Sequence, residues 1–217
     1  SGYALAASPT LYPGQTIRAR LLAPPSNRGD LTATLCLFHY GHDGDLVKVS
    51  GPSAHLGTGK EAALEWQIPE TGNWPIAQIG IEITSAARSN DTLLLDWLDW
   101  SGAPSTTFAK PVDAGGDRFK GHTWQKAWVN GLDQFEDWDA AFRCTQNEGT
   151  GLAIMGCREW KDYEVSSSVR IGLAKSAGIA CCVQGMKRWI GLLLAQGGRV
   201  QLVQELDGRK ILDEAPF

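Results

Sequence analysis

No run of about 18 consecutive apolar residues occurs in this chain, so no segment reads as a membrane-spanning helix. The N-terminus also lacks the basic stretch and apolar core of a secretory leader, and the expectation is a soluble protein. Lysine and arginine are never clustered. The 20 basic residues are interspersed with 24 acidic ones for a net charge of −4, which argues against a nucleic-acid partner, whose phosphates demand a basic patch. The five cysteines, Cys36, Cys144, Cys157, Cys181 and Cys182, include no Cys-x-x-Cys pair, so the usual zinc and dithiol redox motifs are missing. Reduced, buried thiols are the simplest reading. Cys181 and Cys182 are adjacent, and a strand would direct them to opposite faces, one to the core and one to the surface or an interface.

Common catalytic signatures are missing too. There is no Gly-x-Ser-x-Gly elbow, and His39, His42, His55 and His122 have no evident nucleophile partner. Cys181-Cys182 lacks a visible activating base. Gly149-Thr-Gly-Leu and Gly197-Gly198 are followed by no helical pattern, so they read as hairpin turns and not as phosphate loops. His39 and His42 bracket a turn with Asp43 and Asp45, where a solvated turn competes with a weak metal site.

What the chain does contain is period-two hydrophobicity. Ile17, Ala19 and Leu21 alternate with Arg18 and Arg20, and the same rhythm recurs over 31–40, 46–49, 62–68, 76–84 and 92–100. Pro, Gly, Asn and Ser clusters separate these runs, as between the strands of an all-β sandwich. After Trp100 the composition shifts to small residues and prolines, which sets a domain boundary near residue 107. From Gly149 to Phe217 further alternating runs are punctuated by Gly-Gly and by a hairpin at Asp207-Gly208. Trp124 to Trp138 is ambiguous and has room for one short helical turn. The expected fold is all-β, two antiparallel β-sandwich domains in tandem, at 1–107 and 108–217.

Residues 76–83 followed by Asp91-Thr-Leu-Leu-Leu-Asp-Trp-Leu-Asp-Trp resemble the closing strands of galactose-binding-like jelly rolls. That resemblance makes Asp96 a candidate ligand for a structural calcium, a hard ion that prefers loop oxygens. Trp160-x-Asp-Tyr-Glu-Val, Ala177-Gly-Ile-Ala, Val183-Gln-Gly and Arg188-Trp-Ile resemble concanavalin-like and laminin-G-like jelly rolls, of which this copy would be C-terminally shortened. Together the halves resemble the non-catalytic C-terminal region of bacterial ADP-ribosylglycohydrolase family proteins. The helical, magnesium-binding catalytic domain of that family has no match in this sequence.

Nine tryptophans are the most conspicuous aromatic feature. Each offers a broad apolar face and one N–H donor, which suits stacking on sugar rings and equally suits filling a core. The leading expectation is therefore a non-catalytic carbohydrate-binding accessory protein, its partner a glycan-like ligand or a catalytic domain of the same protein. Trp74, in an Asn-Trp-Pro loop that favours exposure, and Trp189, beside Arg188, are the candidate platforms, with Arg158, Glu159 and Gln184 as polar complement. The alternatives are assembly domains that position an ADP-ribosylglycohydrolase-like domain, and a glycoside hydrolase using carboxylates among Glu136, Asp137, Asp139, Asp162, Glu164, Glu205 and Asp213. On a strand, Asp162 and Glu164 would share one face. The thiols point to the cytoplasm, whereas a sugar-binding role points to export.

Overall fold

The computed structural model describes residues 10–112, 114, 123–138 and 141–217. Over these residues the fold is all-β with antiparallel sheets, interrupted by a short 3₁₀ helix at Thr123–Ala127 that occupies the expected helical turn. Among them, no helix is long and apolar enough to cross a membrane. The chain divides into two compact units, Ser1–Ala127 and Trp128–Phe217. Part of the small-residue stretch after Trp100 stays with the first unit. There the Ser105 amide donates to Pro13 O at 2.9 Å, and Phe108 meets Tyr12 edge-on at 6.0 Å.

The first unit contains β1 (Thr16–Leu22), β2 (Leu31–Tyr40), β3 (Leu46–Leu56), β4 (Glu61–Gln67), β5 (Ile76–Ser85) and β6 (Leu94–Ser101). They form two three-stranded sheets, β4-β1-β6 and β3-β2-β5. Alternation explains the layering. Ile17, Ala19, Leu21 and Leu64 of one sheet share a buried cluster with Ala33, Leu35, Leu37 and Leu56 of the other, while Arg18 and Arg20 are left outside. Each fully buried leucine contributes on the order of 1.5–3 kcal/mol. At the β2–β3 turn, the Gly41 amide donates to Asp45 O at 2.9 Å and Gly44 takes φ 81°, a left-handed conformation that glycine adopts without strain.

The second unit holds β7 (Val129–Asn130), β8 (Gln134–Trp138), β9 (Ala141–Thr145), β10 (Ala153–Ile154), β11 (Ser176–Gly185), β12 (Arg188–Ala195), β13 (Arg199–Leu206) and β14 (Arg209–Pro216). The last four form a meander in chain order, while β7 pairs with β10 and β8 with β9. One face of the meander buries Trp189, Leu193 and Val203, with Leu152, Ala180 and Val183 packed against them. The opposite face carries Leu192 and Leu202, which are exposed. Gly197 and Gly198, both left-handed, turn β12 into β13, and Asp207-Gly208 turns β13 into β14.

Two local expectations are corrected in this unit. Residues 160–165 form no strand: Asp162 has φ 50°, so the argument that Asp162 and Glu164 share a strand face does not apply. Gly149 lies between β9 and β10, which belong to different ribbons, so its turn closes no hairpin.

Candidate functional site

The outer face of sheet β4-β1-β6 gathers a set of paired polar groups. Because Ala19 and Leu21 point inward, Arg18 and Arg20 must point outward, and the flanking strands bring carboxylates to both. Arg20 donates to Glu61 at 2.5 Å and lies 3.6 Å from Asp96. Arg18 donates to Glu65 at 2.9 Å and to Ser101 Oγ at 2.9 Å. Glu65, through its hydrogen bond, raises the proton affinity of Arg18, and Glu61 does the same for Arg20. Both arginines therefore remain cations paired with carboxylates.

A β-bulge places an indole in this face. Leu21 pairs with Leu95 but Arg20 pairs with Trp97, which leaves Asp96 as the extra residue of β6. Ala19 pairs with Leu98, which packs on the core, so Trp97 is on the outer side, 42% exposed and directly across from Arg20. Trp97, Arg20 and Asp96 thus form one surface group.

The sequence-derived site residues fall elsewhere. Trp74 is 4% exposed, contrary to the expected loop display. Gly72 and Asn73 take φ 64° and 68°, reversing the chain, and Thr71 Oγ1 donates to Trp74 O at 2.6 Å, which fixes the turn with the indole inward. Trp189 is 3% exposed and follows the alternative of inward packing. Its Nε1 donates to Met186 O at 3.1 Å, and the Arg209 guanidinium lies 5.5 Å from its ring centroid. Neither indole is a stacking platform.

Arg188 adjoins Trp189 on β12 and so points to the opposite side of the sheet, where it donates to Asp207 at 3.2 Å. Arg158, Glu159 and Gln184 are exposed, but without an open Trp189 they have no ring face to complement. Asp96 lies 3.6 Å from Arg20 and is more than half exposed, and among the described residues no three His, Cys, Asp or Glu side chains come together in a way that could hold a metal ion. Neither Asp96 nor the turn at His39 and His42 belongs to such a group. His39 Nδ1 instead lies 2.8 Å from Tyr40 O, and since a carbonyl only accepts, that nitrogen is the donor.

No family model, curated protein or solved structure matches this chain. The carboxylates weighed for hydrolysis are dispersed over several elements. Glu136 pairs in register with Arg143 across the β8–β9 ribbon, and Glu205 accepts from Arg209 at 3.4 Å. Asp162 sits in a left-handed turn, Asp213 is on β14 opposite Leu202, and Asp139 lies outside the described residues. Trp97 was the residue that sequence reasoning passed over. Its signal was the Leu-Asp-Trp-Leu-Asp-Trp run, in which an inward Leu98 forces one indole out.

Proposed function

We propose that this chain is a non-catalytic carbohydrate-binding protein and that the outer face of sheet β4-β1-β6 is its reading surface. The observation that carries the proposal is Trp97, exposed and flanked by the ion-paired Arg20 and Asp96. An indole face stacks on the C–H face of a pyranose, and guanidinium and carboxylate groups fix the ring by hydrogen bonds to its hydroxyls. The ion pairs hold these groups in place before the ligand arrives, which reduces the ordering cost of binding. The carboxylates of Glu61, Glu65, Asp96 and Asp99 outnumber the guanidiniums of Arg18 and Arg20, so the face suits neutral sugars and repels sulfated or uronate chains.

A glycan array tests the proposal. The full chain is expected to be retained by neutral glycans, and Trp97→Ala weakens retention about tenfold or more, since one aromatic stack is worth on the order of 1 kcal/mol beyond its buried area. A silent array, or equal retention of the variant, defeats it.

A second reading rests on a separate observation, the exposed apolar side chains Leu192 and Leu202 on the open face of the meander. In this reading the chain positions a catalytic domain of the same protein, ADP-ribosylglycohydrolase-like by the sequence resemblance, and binds no sugar. A silent array together with a Leu192→Glu variant that no longer associates with that domain favours this reading over the first.

A further inference from the structure

β11 is irregular at the place where two thiols are adjacent in the chain. Cys181 pairs with Ile190, and pairing resumes at Gly185 with Arg188, so Cys182, Val183 and Gln184 stand against Trp189 alone. Ala180 and Val183 both pack on the buried Trp189 cluster, although their odd separation would place them on opposite faces of a regular strand. The residues between them absorb the mismatch. Cys182 takes φ 52°, a left-handed conformation unusual for a residue with a Cβ, and neither cysteine lies in the core as expected for one of them, since Cys181 is half-buried and Cys182 exposed. With Ala180 and Val183 both turned to the Trp189 cluster, the adjacent Cys181 and Cys182 fill the irregular stretch of β11 between them.

Tyr163 holds this arrangement from the neighbouring loop. Its hydroxyl accepts the Cys182 N–H at 2.9 Å. The Tyr163 ring is itself set edge-on to Trp160 at 6.0 Å. Cys182 is exposed and Cys181 half-buried, so a small reagent reaches both sulfurs.

A disulfide is a poor use of this geometry. Consecutive Cα atoms are about 3.8 Å apart, whereas ordinary disulfides span roughly 4.4–6.8 Å. A single soft atom between the sulfurs makes longer bonds, about 2.3 Å in the case of zinc against about 2.05 Å for S–S, and so bridges adjacent thiols with less strain. Soft thiolate ligands select soft centres over hard ones.

We infer that the Cys181–Cys182 bulge is a dithiol chelating site for a trivalent arsenical or a similarly soft, thiophilic centre, bound by both sulfurs at once. With phenylarsine oxide the reaction balances without a redox step. Two S–H bonds and the arsenic–oxygen bond break, two arsenic–sulfur bonds form, and the oxygen leaves as water carrying both thiol protons. Burial first, and the neighbouring Cys182 second, raise the pKa of Cys181 above its ordinary value, so capture should quicken as pH rises and more thiolate forms.

The test uses the full chain and phenylarsine oxide, followed by intact mass and by peptide mapping after iodoacetamide. One arsenical per chain is expected, with Cys181 and Cys182 protected from alkylation and the protection reversed by a small dithiol. Cys181→Ser and Cys182→Ser each weaken capture about 100-fold or more, because the second bond of a chelate forms at high effective concentration. Cys144→Ser and Cys157→Ser leave it unchanged. Protection mapped to other cysteines, no capture by the wild-type chain, or unchanged affinity in Cys182→Ser overturns the site. Should the serine variants fail to fold, the protection map on the wild-type chain decides alone.

Discussion

Asn27 ties two loops of the first unit with both ends of its amide: Nδ2 donates to Thr92 O at 2.8 Å, and Oδ1 accepts from the Thr92 amide at 3.0 Å. The side chain is buried, so truncation leaves the Thr92 groups unsatisfied. Asn27→Ala should therefore cost about 1–3 kcal/mol, read from urea denaturation of the first unit. Beside it, the Asp91 carboxylate accepts from the Arg28 amide at 2.8 Å and the Gly29 amide at 3.1 Å. The Arg28 hydrogen bond is the main cause that holds the Asp91 pKa below its ordinary value of 3.8. A lowered folded pKa means that the native state binds fewer protons. The stabilisation is thus complete above 3.8 and is lost as pH falls through the folded value. In Asp91→Asn, that part of the acid-induced loss of stability should disappear in denaturation curves taken between neutral and acid pH. In the sequence, Asp91 stands out only as the first residue of the run that ends in Trp100. Its role as an acceptor for two amides depends on a loop 62 residues away in sequence, which no local pattern reveals.

The meander shows what alternation specifies at the level of a strand. Leu192 and Leu193 are neighbours on β12, yet one is 48% exposed and the other 9%. Leu193→Ala should cost about 2–5 kcal/mol, while Leu192→Thr should change stability by no more than about 0.5 kcal/mol in the same denaturation experiment. Equal costs would mean that the face assignment is wrong. Gly178 gives a second test on the paired strand, because a Cβ there would lie 2.0 Å from Leu192 O, a backbone atom that cannot swing away. Gly178→Ala is expected to destabilise by about 1–3 kcal/mol, as overpacking does. The strands of the first unit were legible because period two and turn residues agreed, as with Ile17, Ala19 and Leu21 before the Pro24-Pro25 break. Residues 160–165 alternate nearly as well but form no strand, since alternation reports only that a strand is possible, and Asp162 turns the chain instead. The bulges at Asp96 and Cys182 were illegible for a related reason. An extra residue in a ladder is defined by its partner strand, and the partner's register is set by tertiary packing.

Each unit carries its own apolar cluster, and the two differ in depth. In the first, Ile17, Leu21, Leu35, Leu37 and Leu56 are completely or almost completely buried between two sheets. In the second, the buried cluster among the described residues is Trp189, Leu193 and Val203 on one face of a single meander. Stability follows buried apolar area, so the second unit should be the weaker one. A chain with two cores also departs from a single all-or-none transition. Calorimetry of the full chain is expected to show two transitions. Val203→Ala should lower the first, and Leu37→Ala should lower the second, each by several degrees, because a loss of 1 kcal/mol moves the midpoint by about 4–8 °C for a domain the size of the second unit and by somewhat less for the larger first unit. The glycan proposal adds a further constraint, since its surface lies wholly on the first unit. A neutral sugar bound around Trp97 should raise the upper transition and leave the lower one in place, because a ligand stabilises only the state that binds it. An arsenical held at Cys181 and Cys182 should do the reverse, raising the lower transition alone. If either ligand moves the transition of the other unit, its site has been assigned to the wrong half of the chain.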